Sequence, residues 1–299
     1  MEPPTDSHRF RRALVLANPI AGRGSGRTRA EECARRLAAI GVESSVHFTN
    51  ARGDARDAAR KLDPAVDVVV SVGGDGTLGE VLEGLSGRDV PVAIVPAGTA
   101  NVMSLDLGLP RDVASLVDVI GRGRTIALDT ARVNGKRLSF LVTGVGFDAM
   151  AVREVEERRK GPITKAAYFS AGMRALRRYV PPRLHVEVDG RKLEQPCALV
   201  LVSNIVHLAG MRILAPDRRL DDGLFEVYLF AKGSRAALAG YALRALLAGL
   251  PGGSCTRLRA RRVRITSDAP VPCEVDGDAF GETPVELEVH PVQSRLVVP

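Results

Sequence analysis

Val66-Asp67-Val68-Val69-Val70-Ser71-Val72 runs straight into Gly73-Gly74-Asp75-Gly76-Thr77 and then into the apolar-spaced stretch 78–85. The valine-rich run has the texture of a strand buried on both faces, and the stretch after the glycines has that of a helix. Working outward, the same alternation recurs. Residues 13–17 form a short apolar run ending at Asn18-Pro19, and 28–40 has helical spacing (Cys33, Leu37, Ile40) up to Gly41. A weak strand at 46–48 precedes a polar helix at 54–62, and a second buried strand at 90–95 is closed by Pro96. Strands separated by helices predict a doubly wound α/β domain with a parallel sheet over residues 1–125.

The texture changes at the Gly/Arg string 121–124. Beyond it, strands follow one another through Val133-Asn134-Gly135-Lys136 and Val188-Asp189-Gly190-Arg191, both hairpin signals. Leu184, Val186 and Val188, and later Val285, Leu287 and Val289, alternate with polar residues. Residues 126–299 therefore read as a mainly antiparallel β-sandwich interrupted by helical stretches at 149–179 and 234–249, its last strand free to return to the first domain. At 299 residues the chain is long for one core, which supports two domains.

Composition narrows the function classes. The net charge of +7 suits an anionic partner, whether nucleotide, nucleic acid or membrane face. With 4% aromatics and no Trp, the stacking platforms of single-strand nucleic-acid binding are not expected. The cysteines at 33, 197, 255 and 273 form no C-x-x-C pair and read as free thiols of a reducing cytoplasm. Residues 1–12 lack the apolar core of a leader segment, and no stretch is long and apolar enough to span a bilayer.

The pentapeptide Gly73-Gly74-Asp75-Gly76-Thr77 is the strongest local signal. Its glycines permit close backbone approach, the helix after it aims free N–H groups at an anion, and Thr77 has a hydroxyl to donate. Asp75 beside a phosphate makes sense with a metal ion between them; a tight strand-to-helix turn is the other reading. Pro96-Ala97-Gly98-Thr99-Ala100-Asn101 leaves the neighbouring strand, and Asn18 to Gly24 leaves the first; Thr49 falls at the same edge. In an open parallel sheet such loops face one crevice. No G-x-x-x-x-G-K-[ST] motif is present, so this is not that type of P-loop.

Two acidic turns lie in the second domain. Asp221-Asp222-Gly223-Leu224-Phe225 is either a plain acidic turn or a hard-cation site of carboxylate and carbonyls. Glu274-Val275-Asp276-Gly277-Asp278 offers a carboxylate to take a proton from an attacking hydroxyl. Asp189 occupies the same Val-Asp-Gly tripeptide in a hairpin with no expected role. Arginines crowd 257–264 and 174–178, read first as solvated faces and alternatively as a membrane-attracting surface. Residues 236–250 form a mostly apolar helix carrying only Arg244, read first as packed and alternatively as a lipid-facing rim. The histidines show no ligand spacing, and Cys273 reads as a small buried residue.

Taken in order, Asn18-Pro19…Gly22, Gly73-Gly74-Asp75-Gly76-Thr77, Gly98-Thr99-Ala100-Asn101, Gly144-Val145-Gly146-Phe147-Asp148, Asp222-Gly223 and Val275-Asp276-Gly277 resemble the diacylglycerol kinase catalytic family, which includes bacterial lipid kinases and is related to sphingosine and ceramide kinases. The resemblance implies an ATP-binding first domain and a lipid-substrate sandwich. It assigns Asn18, Thr49, Gly73, Gly74, Asp75, Gly76, Thr77, Gly98, Thr99 and Asn101 to ATP, with Asp75 near the nucleotide and its Mg²⁺. Asp276 becomes the general base, with Asp75 the other catalytic candidate. Asp222, with the carbonyls of Arg219 and Leu224, becomes a structural Mg²⁺ site, and Asp148 a cleft residue. Gly79, Val102 and Asp278 depart from frequent family residues (Asn, Asp and Glu).

The expected activity is transfer of the γ-phosphate of ATP to a membrane lipid, diacylglycerol first and ceramide, a sphingoid base or a polyprenol as alternatives. The expected setting is a cytoplasmic protein with peripheral contact to an anionic membrane, no nucleic acid, and compatibility with a homodimer. Two rivals share features with this reading: an NAD kinase, through Gly-Gly-Asp-Gly-Thr, and a non-catalytic nucleotide-sensing membrane module.

Overall fold

A computed structural model of the chain describes residues 10–157, 165–208, 210–290 and 294–299. The chain divides into two compact units, residues 1–128 with 294–299, and residues 129–293. The expectation about a leader at 1–12 falls largely on residues outside those described.

The first unit runs β1 (Arg12–Ala17), α1 (Ala21–Ala39), β2 (Glu43–Phe48), α2 (Asp54–Arg60), β3 (Val68–Gly73), α3 (Asp75–Gly84), β4 (Val92–Pro96), α4 (Val102–Asp106), α5 (Val113–Arg122) and β5 (Thr125–Leu128). Strands β2, β1, β3 and β4 pair in parallel, in that order, as the alternation of strand and helix predicts. Every residue of β3 is buried, so its valines serve two faces. One face packs Val15, Val70 and Val95 against Ala30, Cys33 and Leu37 of α1 and Val113, Leu116 and Val117 of α5; α2 packs with α3. Sequence reading starts α1 at Thr28, but the helix begins at Ala21 and takes in the glycine series, with Gly22 and Gly24 keeping positive φ of 57° and 95°. Likewise α3 begins at Asp75, inside the glycine motif rather than after it.

The second unit continues β6 (Ala131–Val133), β7 (Arg137–Ser139), β8 (Val142–Val145), α6 (Phe147–Glu157), α7 (Lys165–Arg178), β9 (Leu184–Val188), β10 (Arg191–Lys192), β11 (Leu199–Ser203), β12 (His207–Leu208), β13 (Met211–Arg212), β14 (Phe225–Phe230), α8 (Arg235–Ala248), β15 (Cys255–Ala260), β16 (Arg262–Ser267), β17 (Pro272–Val275), β18 (Asp278–Glu282) and β19 (Val285–Val289). Two antiparallel sheets, β10-β9-β16-β19-β6-β7 and β15-β14-β11-β8-β17-β18, form the sandwich. Val133, Val186, Ile265 and Leu287 of one meet Val145, Val200, Val227 and Val275 of the other. Of the helical stretch expected at 149–179, residues 158–164 lie outside those described. The two-residue β9–β10 and β17–β18 hairpins place Asp189 and Asp276 at positive φ (48° and 53°), each followed by Gly, and Asn134-Gly135 does the same (50°) in the three-residue β6–β7 connection.

The last strand, β20 (Ser294–Val297), belongs to the first sheet, parallel to β4 and antiparallel to β5. Its Leu296 is fully buried. Leu296→Ala is expected to destabilise the first unit by about 2–4 kcal/mol. Denaturant unfolding should show the loss in that unit's transition while the sandwich unfolds as before.

Candidate active site

In the first unit the loops predicted to bind phosphate meet at the carboxyl edge of the parallel sheet. Ala97 and Gly98 both donate N–H to the Gly73 carbonyl, at 2.7 and 3.2 Å. A Cβ on Gly98 would stand 2.5 Å from Gly74 Cα, so the loops touch backbone to backbone and only glycine fits. Thr77 is buried and packs back over Gly73, whereas Gly76 and Thr99 are exposed. The Asn18 segment joins them: Asn18 donates N–H to Val72 O at 2.9 Å, its Oδ1 accepts Ile20 N–H, and a Cβ on Gly22 would strike the Ala97 carbonyl. Thr49 lies on the edge strand side, its N–H donated to Ala17 O at 2.9 Å.

Asp75 has partners that sequence reading did not supply. Its two oxygens accept the N–H groups of Val102 at 3.0 Å and Met103 at 3.2 Å, the first residues of α4. Asn101, at φ 49°, turns the chain into that helix and closes its loop on Gly98 through paired 2.8 Å hydrogen bonds. Asp75 thus ties the two glycine loops together. Burial pushes its carboxyl up, and the Val102 and Met103 N–H groups pull it back down.

In the second unit Asp276 sits in the β17–β18 turn. Its Oδ1 accepts the N–H groups of Leu141 at 2.9 Å and Val142 at 3.0 Å and the hydroxyl of Ser139 at 3.2 Å; among the described residues Oδ2 accepts Phe140 N–H alone, at 3.1 Å. Residues 139–142 carry the chain from β7 in one sheet to β8 in the other, so Asp276 satisfies donors that neither sheet can pair. The residue is half-buried. Burial pushes its carboxyl up to about 6, against the pull of the three N–H groups and the hydroxyl. Asp278, the other acid of the turn, is held by Arg137 at 2.7 Å.

Behind the turn lies a pair of acids, of which sequence reading took Asp148 only as a cleft residue and Glu274 only as part of the motif. A Cβ on Gly144 would stand 2.7 Å from Asp148 Oδ2 and 2.8 Å from Glu274 Oε1, so the two carboxyls meet over that glycine. Glu274 is buried, and its Oε2 accepts Gly277 N–H at 2.8 Å. Burial, then the neighbouring Asp148, pushes the Glu274 carboxyl well above its ordinary value, and burial pushes Asp148 up as well. One acid opens helix α6 and the other lies on β17, more than a hundred positions apart, so the pair leaves no signal in the sequence.

Among the described residues no group of three or more His, Cys, Asp or Glu is arranged to hold a metal ion. In the Asp222 turn, Asp222 Oδ1 accepts Leu224 N–H at 3.2 Å, Oδ2 is 3.6 Å from Arg259, and Arg219 pairs with Asp221. Asp129 accepts Gly223 N–H at 2.7 Å. Most of the arginine-rich stretch is spent on ion pairs: Arg257 with Asp217, Arg259 with Glu226 and Arg262 with Glu288. Burial pushes Cys33, Cys255 and Cys273 up to about 12, so none supplies a thiolate.

The Gly98–Gly74 contact gives a direct test of the joined loops. Gly98→Ala must part them and is expected to cost about 1–3 kcal/mol of first-unit stability. Gly76→Ala, with nothing within 4 Å of its Cβ, should leave stability unchanged or raise it by up to about 1 kcal/mol. Denaturation of the two variants side by side reads both.

Comparison with known proteins identifies both domain types. Residues 12–133 match the diacylglycerol kinase catalytic domain, and residues 141–298 match the YegS C-terminal NAD kinase beta sandwich-like domain. The diacylglycerol kinase of Bacillus subtilis (strain 168) is 28% identical over 283 residues, 93% of each chain. That of Staphylococcus aureus (strain MRSA252) is 27% identical over 288 residues, 94% of this chain and 91% of its own. A crystal structure of a diacylglycerol kinase from Bacillus anthracis str. Sterne shares the fold, with a TM-score of 0.76 at 22% identity over 97% of this chain and 98% of that one. With both domain types present in this order across most of its length, the chain belongs to the diacylglycerol kinase family of lipid kinases.

Proposed function

We propose that the chain transfers the γ-phosphate of ATP to the free hydroxyl of diacylglycerol, giving phosphatidic acid and ADP. The observation that carries this reading is the environment of Asp276. A carboxylate poised near neutrality, half-buried and held on three backbone N–H groups, is suited to general-base work. With three donors on Oδ1 and one on Oδ2, Oδ2 keeps the freer lone pair and takes the proton. The lipid oxygen then forms its bond to the γ-phosphorus as the bond to the bridging β–γ oxygen breaks, and ADP leaves. In the first unit, Gly74 and Gly98 let backbone N–H groups close on the phosphates, and Asp75 keeps both loops in register.

Asp222 with the Arg219 and Leu224 carbonyls has the donor chemistry of a hard-cation site. Its single carboxylate already faces Arg259. Mg²⁺ held there would stabilise the turn, and Mg²⁺ carried with ATP would neutralise phosphate charge. The sandwich domain's likeness to NAD kinase makes NAD the alternative acceptor to include.

The test is transfer of labelled γ-phosphate with Mg²⁺ to diacylglycerol, ceramide, sphingosine, undecaprenol or NAD. Label in diacylglycerol is expected. Label in NAD alone, or ATP binding with no acceptor labelled, would overturn the reading. Asp276→Asn is expected to lower kcat by about 10²–10⁴ with ATP affinity retained. Because the new amide would confront Phe140 N–H, circular dichroism must show the variant folded. Independently, the wild-type rate should fall by about tenfold per pH unit below about 6, where Asp276 is protonated, and level off above it. A rate flat through pH 6 would remove Asp276 as the base.

A further inference from the structure

Helix α8 buries only a narrow stripe, Leu238, Tyr241 and Ala245, against the sandwich. Its far side is exposed, with Leu243 at 59%, Leu246 at 61% and Leu247 at 78%. The other exposed positions are Ala, Gly and two arginines, so this surface offers no polar uncharged side chain and no acid. At about 100° per residue, the three leucines centre opposite the buried stripe, and Arg235 and Arg244 fall about a quarter turn to either side. Among the described residues both arginines donate to backbone carbonyls, Arg235 to Arg177 and Arg244 to Pro251, and neither pairs with an acid.

The apolar strip continues past both ends of the helix. Val180, 80% exposed, precedes Pro181, which packs against Gly233 just before α8. Beyond the other end, Leu250 donates N–H to the carbonyl of Ile213, next to exposed Met211 and Arg212. From residue 227 to residue 256, the stretch that holds the helix and its flanks, the sequence has Lys232, Arg235 and Arg244 and no Asp or Glu.

The geometry points to α8 as the element that docks this kinase on an anionic lipid surface, its leucine face set among the acyl chains and Arg235, Arg244 and Arg212 reaching headgroup phosphates. The inference rests on the lipid-kinase reading, whose substrate resides in a membrane. Charge selects this occupant. Leucines flanked by cations suit an interface apolar below and negative above. A second copy docked face to face would set arginine against arginine with no acid to relieve them.

The experiment is co-sedimentation of the full chain with vesicles of phosphatidylcholine, alone or mixed with phosphatidylglycerol. Wild type should bind the mixed vesicles, more weakly as salt rises. Leu246→Ser with Leu247→Ser should lower partitioning by about tenfold or more, and Arg235→Gln with Arg244→Gln by about fivefold per arginine. Matching melting curves and unchanged transfer to a short-chain, monodisperse diacylglycerol would show both variants intact. No vesicle binding by wild type, or binding unaffected by the leucine pair, would overturn the proposal. So would a wild-type dimer that those serines dissociate. Vesicle binding lost with the leucines while no acceptor is phosphorylated would keep this surface and sink the kinase reading. Transfer to the soluble substrate without vesicle binding would do the reverse.

Discussion

Backbone N–H groups that leave a sheet or start a helix without a partner have to be satisfied, and in this chain aspartates satisfy them. Asp75 takes the first N–H groups of α4, Asp276 those of the β7–β8 crossing, Asp129 that of Gly223, and Asp189 those of Arg261 and Arg262. Each is an acceptor-only group with lone pairs for several donors at once. The glycine loops of the first unit and the acidic turn of the second owe their shape to this arrangement. The chemistry proposed for Asp276 is layered on a structural duty it already performs.

That double use explains how one tripeptide yields two residues of different standing. Val188-Asp189-Gly190 and Val275-Asp276-Gly277 adopt the same left-handed turn, and each aspartate accepts N–H groups from a neighbouring segment. Asp189 is exposed, while Asp276 is half-buried in front of the Asp148–Glu274 pair. Desolvation pushes the Asp276 carboxyl up to about 6. Much of it comes from residues 139–142 and Asp148, more than a hundred positions away in the chain.

Much of the fold was legible because its signals are local. Buried valine strands, hairpin Asn-Gly and Asp-Gly turns, and glycines where loops touch each follow from a few consecutive residues. The start of α1 was not, because Gly22 and Gly26 are held there by contact with the Ala97 and Asn18 backbones rather than by helix propensity. The arginines at 257–264 looked like a free basic face because Asp217, Glu226 and Glu288 lie far from most of them in sequence. Asp75 was read through phosphate and metal, and its partners on α4 could not be seen from its own loop.

The place of β20 bears on how the protein is made. A ribosome delivers residues 12–128 first, yet the sheet they build stays open between β4 and β5 until residues 294–297 arrive. The nascent first unit therefore waits, with two strand edges unpaired, through synthesis of the whole sandwich. The glycine loops anchored on β3 and β4 gain their finished support only after the whole sandwich has emerged.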